Sequence, residues 1–217
     1  MPFEDNYRQK GLRRTLVKLL IEKGISNAAV LDAINTVPRH IFLDKVFLEH
    51  AYQDKAFPIG DGQTISQPYT VALQSQLLNP KKGEKVLEVG TGSGYQASVL
   101  AEMGVRLYTI EQSKYHYSKA KAYFRYFKYK NIYSFLGDGS KGLEHKAPFD
   151  KIIVTAGAPV IPKDLIDQLV IGGVLIIPVG NKEKQEMIRL TKVDHKKITK
   201  ENFGNCAFVP LVGDNAW

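Results

Sequence analysis

Beyond Asn79-Pro80 the chain switches repeatedly between two hydrophobic periods, and that alternation constrains its fold more than any other feature. Short apolar runs at residues 85–89, 106–110, 132–136, 151–155 and 174–178 have the length of buried strands. Stretches near 95–103, 113–128 and 163–170 have helical spacing and separate most of them. Strands that alternate with helices pair in parallel, because each crossover helix returns the chain to the same end of the sheet. The expectation is an α/β fold: a Rossmann-like, doubly wound, mostly parallel sheet with helices on both faces. Two further runs, 186–193 and 205–209 around a polar turn, are expected as antiparallel C-terminal strands.

Ahead of this core, residues 7 to about 48 read as helical. Leu12, Leu16, Leu19 and Leu20 recur on one face, Gly24 stops that helix, and Ser26 can cap the next. Ala29, Val30, Ala33 and Ile34 line the second helix until Pro38 ends it. Residues 51–68 hold Pro58, Gly60, Gly62 and Pro68 and read as a long loop, while Tyr52, Phe57, Ile59 and Ile65 argue that it is ordered. A long ordered loop inside a compact domain is usually functional. A helix over 69–78 follows. The division is one domain, 1–217, in which 1–80 supplies helices and loop and 81–217 the sheet.

With 217 residues, 44% of them apolar, the chain can bury a full core. Glu4, Asp5, Arg8 and Lys10 leave no room for an apolar leader segment, so no secretory signal is expected. The single cysteine, Cys206, suits a reducing compartment, and the expected location is cytoplasmic. The net charge of +8 raises the question of nucleic acid. Much of it lies in Lys119, Lys121, Arg125, Lys128 and Lys130, interleaved with Tyr115, Tyr117, Tyr123, Phe124, Tyr126, Phe127 and Tyr129. Basic residues among aromatics can bind single strands. The helical spacing favours an amphipathic helix laid on a sheet with its lysine stems along the rim, so no nucleic-acid partner is expected. Lys192, Lys196, Lys197 and Lys200 read as a solvated hairpin. His40, His50, His116, His145 and His195 show no metal-ligand spacing, and no metal is expected.

The chemistry begins at Val86-Leu87-Glu88-Val89-Gly90-Thr91-Gly92-Ser93-Gly94-Tyr95, a buried strand running into three alternate glycines and then a helix. Glycine lets the backbone turn sharply and lie against a ligand at the helix N-terminus. A dinucleotide fingerprint would need its third glycine at Tyr95. The G-x-G-x-G form after Glu88 instead resembles the first motif of S-adenosylmethionine-dependent methyltransferases. Glu111 ends the next strand, about twenty residues on, where an acid can accept both ribose hydroxyl protons. Asp138, in Leu136-Gly137-Asp138-Gly139, follows the third strand and could accept from an adenine amino group, although Asp-Gly is also an ordinary turn pair. Glu88 would lie near the amino-acid end of such a ligand.

The stretch Gly60-Asp61-Gly62-Gln63-Thr64-Ile65-Ser66-Gln67-Pro68 is more specific than the glycine loop. With Ala51-Tyr52-Gln53-Asp54, Pro58-Ile59-Gly60 and Phe208-Val209-Pro210-Leu211, it resembles the protein-L-isoaspartate (D-aspartate) O-methyltransferase family over about residues 12–212. The resemblance implies methyl transfer from S-adenosylmethionine to the free α-carboxylate of L-isoaspartyl residues in damaged proteins and peptides, leaving S-adenosylhomocysteine. The methyl ester then closes to a succinimide, the start of repair. It carries over Ser66 as the active-site hydroxyl. Gln63, Thr64 and Ile65 become neighbours of cofactor and substrate, and Glu88, Gly90, Thr91, Gly92, Glu111, Asp138 and Gly139 become cofactor contacts. Relatives are usually monomers. Many bacterial relatives have an arginine where this chain has Ala207, which puts a direct ionic contact to the substrate from that position in doubt. The rival expectations are a methyltransferase for RNA or a small acid, and a non-catalytic module that keeps the cofactor fold. A further use of Ser66, as the cap of the helix that Pro68 opens, is compatible with the catalytic one.

Overall fold

The protein was analysed as a computed structural model that describes residues 4–214 and 216. Helix α1 spans Tyr7–Glu22 and starts where the Asn6 side chain accepts from the Gln9 amide at 3.1 Å. Leu16 and Leu20 face the core as expected, but Leu12 is exposed and Arg13 takes the buried position beside it. Its guanidinium is held by Asp5 at 2.9 Å and by the Tyr52 hydroxyl at 3.1 Å, so a charge can occupy an apolar stripe.

Helix α2, Ala28–Thr36, is capped by Asn27 and not by Ser26, because Asn27 Oδ1 accepts from the Val30 amide. The backbone amides of Ser26 and Asn27 donate to Gln76 of the next helix. After Pro38 the expected helix gives way to two short 3-10 turns, Arg39–Phe42 and Lys45–His50.

The long loop is in fact a small hairpin. Strands β1 (Phe57–Gly60) and β2 (Gln63–Ile65) pair antiparallel around Asp61-Gly62, both at positive φ, the geometry of a two-residue hairpin turn. Phe57, Ile59 and Ile65 point inward. Helix α3, Pro68–Leu78, follows directly.

The core sheet comprises β3 (Lys85–Val89), β4 (Arg106–Glu111), β5 (Ile132–Leu136), β6 (Phe149–Val154), β7 (Leu169–Gly180), β8 (Gln185–Lys192) and β9 (Ile198–Cys206). Helices α4 (Tyr95–Glu102), α5 (Lys114–Tyr126) and α6 (Lys163–Asp167) lie among the first five of these strands. The strand order is β5-β4-β3-β6-β7-β8-β9, parallel as far as β7 and antiparallel beyond it. The chain therefore winds outward from β3 in one direction and returns to β6 on its other side. That reversal opens a crevice at the carboxyl ends of the strands.

Side chains alternate across the sheet. Val86 and Ile153 pack under α3, α4 and the N-terminal helices, while Leu87, Val89, Ile152 and Val154 pack on the opposite face with Leu165 of α6. Two boundaries differ from expectation. Helix α6 stops at Asp167, and Leu169 already belongs to β7. The last strand is 198–206 rather than 205–209; it is a polar strand at the sheet edge, exposed along almost its whole length. An edge strand needs no buried face, so it carries no apolar alternation to read. No helix among the described residues is long and apolar enough to cross a membrane.

Candidate active site

The crevice is a cleft of about 1060 Å³, open mouth included, walled by the β1–β2 hairpin, the glycine loop, the end of β4 and residues 207–212. Gly90, Gly92 and Gly94 all have positive φ, and a Cβ on Gly90 would stand 2.6 Å from Thr155 Oγ1. Only glycine allows that approach. The Thr155 hydroxyl donates to the Gly90 carbonyl and pins the loop to the end of β6.

Glu111 is the best-defined acid. Its Oε2 accepts from the Gly92 amide and its Oε1 from the Ser113 amide, each at 2.8 Å. A carboxylate offers about four lone pairs. Two orient the side chain here and the other two remain for a vicinal diol in the cleft. Gln96, just inside α4, bonds Ser75 Oγ through Nε2, and its Oε1 is buried with no partner among the described residues. Gln96 lines the cleft, so that orphaned acceptor awaits a donor from a ligand. Loop, diol acceptor and buried carbonyl together fit a nucleoside carrying an amino-acid arm.

Of the expected residues, Gln63, Thr64, Ile65, Ser66, Gly90, Thr91, Gly92, Glu111 and Gly139 all line this cleft. Two acids lie elsewhere. Glu88 is fully buried beneath the glycine loop, its Oε2 accepting from the Thr109 hydroxyl at 2.5 Å while Oε1 has no partner among the described residues. Burial pushes its carboxyl up to about 8, against the Thr109 bond and helped by Glu111. At neutral pH it is therefore mostly a neutral prop for the loop. Asp138 turns its carboxylate to the amide and hydroxyl of Ser140 and to the Asp214 amide at 2.9 Å. Partial burial opposes its ionisation, but those bonds prevail and hold the carboxyl below its ordinary value.

Ser66 sits between β2 and α3 and makes no hydrogen bond to another described residue. It is not the cap of α3. Asp54, whose side chain is 6% exposed, performs that task from a distance: Oδ1 accepts from the Tyr69 amide at 2.8 Å, and Oδ2 from Gln67 Nε2 at 3.2 Å and Lys23 Nζ at 2.6 Å. The Ser66 hydroxyl is thereby left for the cleft.

The wall opposite is the segment around Phe208. Gly157 and residues 209–211 exchange backbone bonds, Gly157 N to Val209 O at 2.8 Å and Leu211 N to Gly157 O at 2.7 Å, and Gln185 Oε1 accepts from the Phe208 amide. Ala207 lines the cleft and brings no charge to it. Among the described lining residues there is no lysine, arginine or histidine. What the described lining offers an anion is hydroxyl and amide donors.

Residues 11–216 match the family described as protein-L-isoaspartate(D-aspartate) O-methyltransferase. The chain belongs to this family. It is 59% identical to the protein-L-isoaspartate O-methyltransferase of Cytophaga hutchinsonii over 214 residues, 99% of this chain and 96% of that one. It is 53% identical to the protein of the same name from Christiangramia forsetii, over 97% of this chain and 99% of that one. Among solved structures, a protein-L-isoaspartate O-methyltransferase superposes with a TM-score of 0.84 at 28% identity, covering 94% of this chain and 67% of that chain. A Plasmodium falciparum structure described as a putative protein-L-isoaspartate O-methyltransferase in complex with S-adenosyl-L-homocysteine gives 0.80 at 26% identity, over 92% and 98% of the chains. The methyltransferase fold and S-adenosylmethionine dependence expected from the sequence agree with these matches. Thr155 stands in Val154-Thr155-Ala156-Gly157-Ala158-Pro159, a stretch that also resembles the family, but the sequence assigns no role to it or to Gln96, and only the folded cleft does so.

Proposed function

We propose that this isoaspartyl methyltransferase holds S-adenosylmethionine between the glycine loop and Glu111, and presents the acceptor carboxylate at Ser66. The single observation that carries the site assignment is the free Ser66 hydroxyl facing, across one cleft, the glycine loop and the half-used Glu111 carboxylate. Gly90, Thr91, Gly92, Gly139 and Gln96 would complete the cofactor's surroundings. Glu88 would act from below, through the loop, and Asp138 through the Ser140 turn.

The bound cofactor supplies an activated methyl carbon on a positively charged sulfur. The acceptor α-carboxylate, with an ordinary pKa near 4, is already ionised at neutral pH, so no general base is required. What the chain contributes is placement. Ser66 donates a hydrogen bond to one carboxylate oxygen and aims the other, while Gln63, Thr64 and Ile65 with residues 208–211 fix the peptide on either side. Orientation of this kind can supply up to about 7–11 kcal/mol of the barrier. Enclosing the carboxylate also strips water that would blunt its nucleophilicity. Among the described lining residues none is cationic, so the chain itself would hold the acceptor through hydroxyl and amide donors.

Clients are isoaspartyl-containing proteins and peptides, met as a monomer in the cytoplasm. The half-buried Cys206 thiol, pushed up to about 11 by burial, is a poor thiolate and takes no part in the chemistry. Equilibrium titration of the wild type and the Ser66→Ala variant with cofactor, beside methyl-transfer rates on an isoaspartyl peptide, tests the assignment. Cofactor affinity retained with turnover lost supports it.

A further inference from the structure

From residue 112 to residue 137 the chain contains no Asp or Glu, yet it carries Lys114, Lys119, Lys121, Arg125, Lys128 and Lys130. This stretch is α5, its exit turn and β5, and it forms one rim of the sheet because β5 pairs only with β4. Of these cations only Lys119 has an ion pair among the described residues, to Asp44 at 3.6 Å. One acid does reach the groove wall: Glu102 accepts from the hydroxyl of Tyr129, a lining residue, at 2.9 Å.

A shallow groove runs between helix and edge strand. Lys121, Phe124 and Arg125 form one side and Ile132, Tyr133 and Ser134 the other. Tyr126 and Leu136 around it are 48% and 49% exposed. An unpaired strand edge displays alternate N–H and C=O groups, the template on which an extended peptide can add as a further strand.

We propose that this groove docks an extended, acidic polypeptide segment of the client protein, paired along β5 with its alternate carboxylates facing Lys121 and Arg125. The inference rests on the reading of the chain as an isoaspartyl methyltransferase, and it assigns that enzyme a second contact with its substrate. Charge complementarity selects an anion. The free edge selects a polypeptide over a nucleic acid, because a phosphodiester chain cannot pair with it. The rings are also poorly placed for stacking bases: Tyr133 already stacks on Tyr108 at 5.0 Å, and Tyr126 meets Phe127 edge-on at 5.1 Å. On the α5 side of β5 the strand presents Ile132 and Ser134, since Phe135 packs with the opposite core layer. A docked strand would accordingly place every second residue under the α5 cations.

The geometry sets a spacing. Strands lie about 4.8 Å apart, so a strand added outside β5 runs about 15 Å from the β3 loop, a span that roughly five extended residues cover. An isoaspartyl residue closer than that to the acidic segment cannot use both sites.

The test compares three isoaspartyl peptides by steady-state methyl transfer: a short neutral one, one joined through eight neutral residues to Glu-Val-Glu-Val-Glu, and one with a two-residue spacer. With wild type, the long-spacer peptide should show a KM about tenfold below the neutral one at low salt, with kcat unchanged, and the short-spacer peptide should show no gain. Lys121→Glu/Arg125→Glu should abolish the gain and leave the neutral peptide unaffected; Lys121→Gln/Arg125→Gln, which removes the same two charges without reversing them, provides a second variant should the first fold poorly. Equal KM values for all three peptides in wild type, or a gain untouched by both variants, would overturn the proposal. So would an oligodeoxythymidine that binds this rim more tightly than the acidic peptide and is lost in the same variants. Absence of methylation on the neutral peptide would be a different failure, that of the isoaspartyl reading itself.

Discussion

Replacing Glu111 by Gln removes the charge that orients the glycine loop while keeping volume and shape. In the native site both carboxylate oxygens accept a backbone amide at 2.8 Å, from Gly92 and from Ser113. A carboxamide has only one acceptor oxygen, so one of those amides must face an NH2 group, donor against donor. A ribose diol bound as proposed would lose a charged acceptor as well. Hydrogen bonds to charged groups contribute about 1.5–3 kcal/mol, which corresponds to a roughly ten- to 150-fold rise in the cofactor dissociation constant. The amide left without a partner should also lower the stability of the ligand-free protein by about 1–3 kcal/mol. Calorimetric titration with S-adenosylhomocysteine reads the first effect and urea unfolding of the free protein the second. A folded Gln variant that binds within twofold of wild type would refute the ribose role, and would leave Glu111 only the task of joining β4 to the loop.

Ser66→Ala should lower turnover on an isoaspartyl peptide by one to several powers of ten while cofactor affinity stays within a few-fold, as single-turnover rates beside binding isotherms will show. Asp54→Ala removes the distant cap of α3 and should destabilise the fold by about 1–3 kcal/mol, measured by denaturant unfolding, with turnover falling further than cofactor affinity. Glu88 gives a pH signature. Its carboxyl is held at about 8 against an ordinary value of 4.5, so the native state binds the extra proton. The stability it contributes is complete below about 4.5 and is lost as pH rises to about 8. Melting curves from pH 5 to 9 should show Glu88→Gln gaining on wild type across that window, and parallel curves would refute the buried-acid account.

The parallel half of the sheet was legible because strands buried on both faces must be continuously apolar and the helices between them must be periodic. The glycine loop was legible for a related reason: a close backbone approach admits few residue types. Legibility failed where structure is set by partners distant in the chain. Asn27 rather than Ser26 caps α2, with Gln76 taking the Ser26 amide, and nothing local distinguishes the two. Asp54 caps α3 from across the hairpin, which frees Ser66 from the role its place before Pro68 allowed. The hairpin itself was visible in principle, since Phe57, Ile59 and Ile65 alternate around Asp61-Gly62, but its strands are short and its prolines and glycines read as loop. Glu88 and Asp138 occupy expected chain positions, and only the alternation of β3 and the placement of residues 213–214 decide where their carboxylates point.

The central claim, that the cleft is shaped for an isoaspartyl α-carboxylate, is tested most directly by two peptides of one sequence, L-isoaspartyl and L-aspartyl. The isoaspartyl carboxylate stands one methylene closer to the backbone, so a site that aligns it at Ser66 should misplace the normal one by about an ångström, worth on the order of a hundredfold. Labelled methyl transfer should differ by at least that factor, and the product should be a base-labile ester that decays through a succinimide. Equal rates on the two peptides, or a base-stable methyl group, would contradict the account.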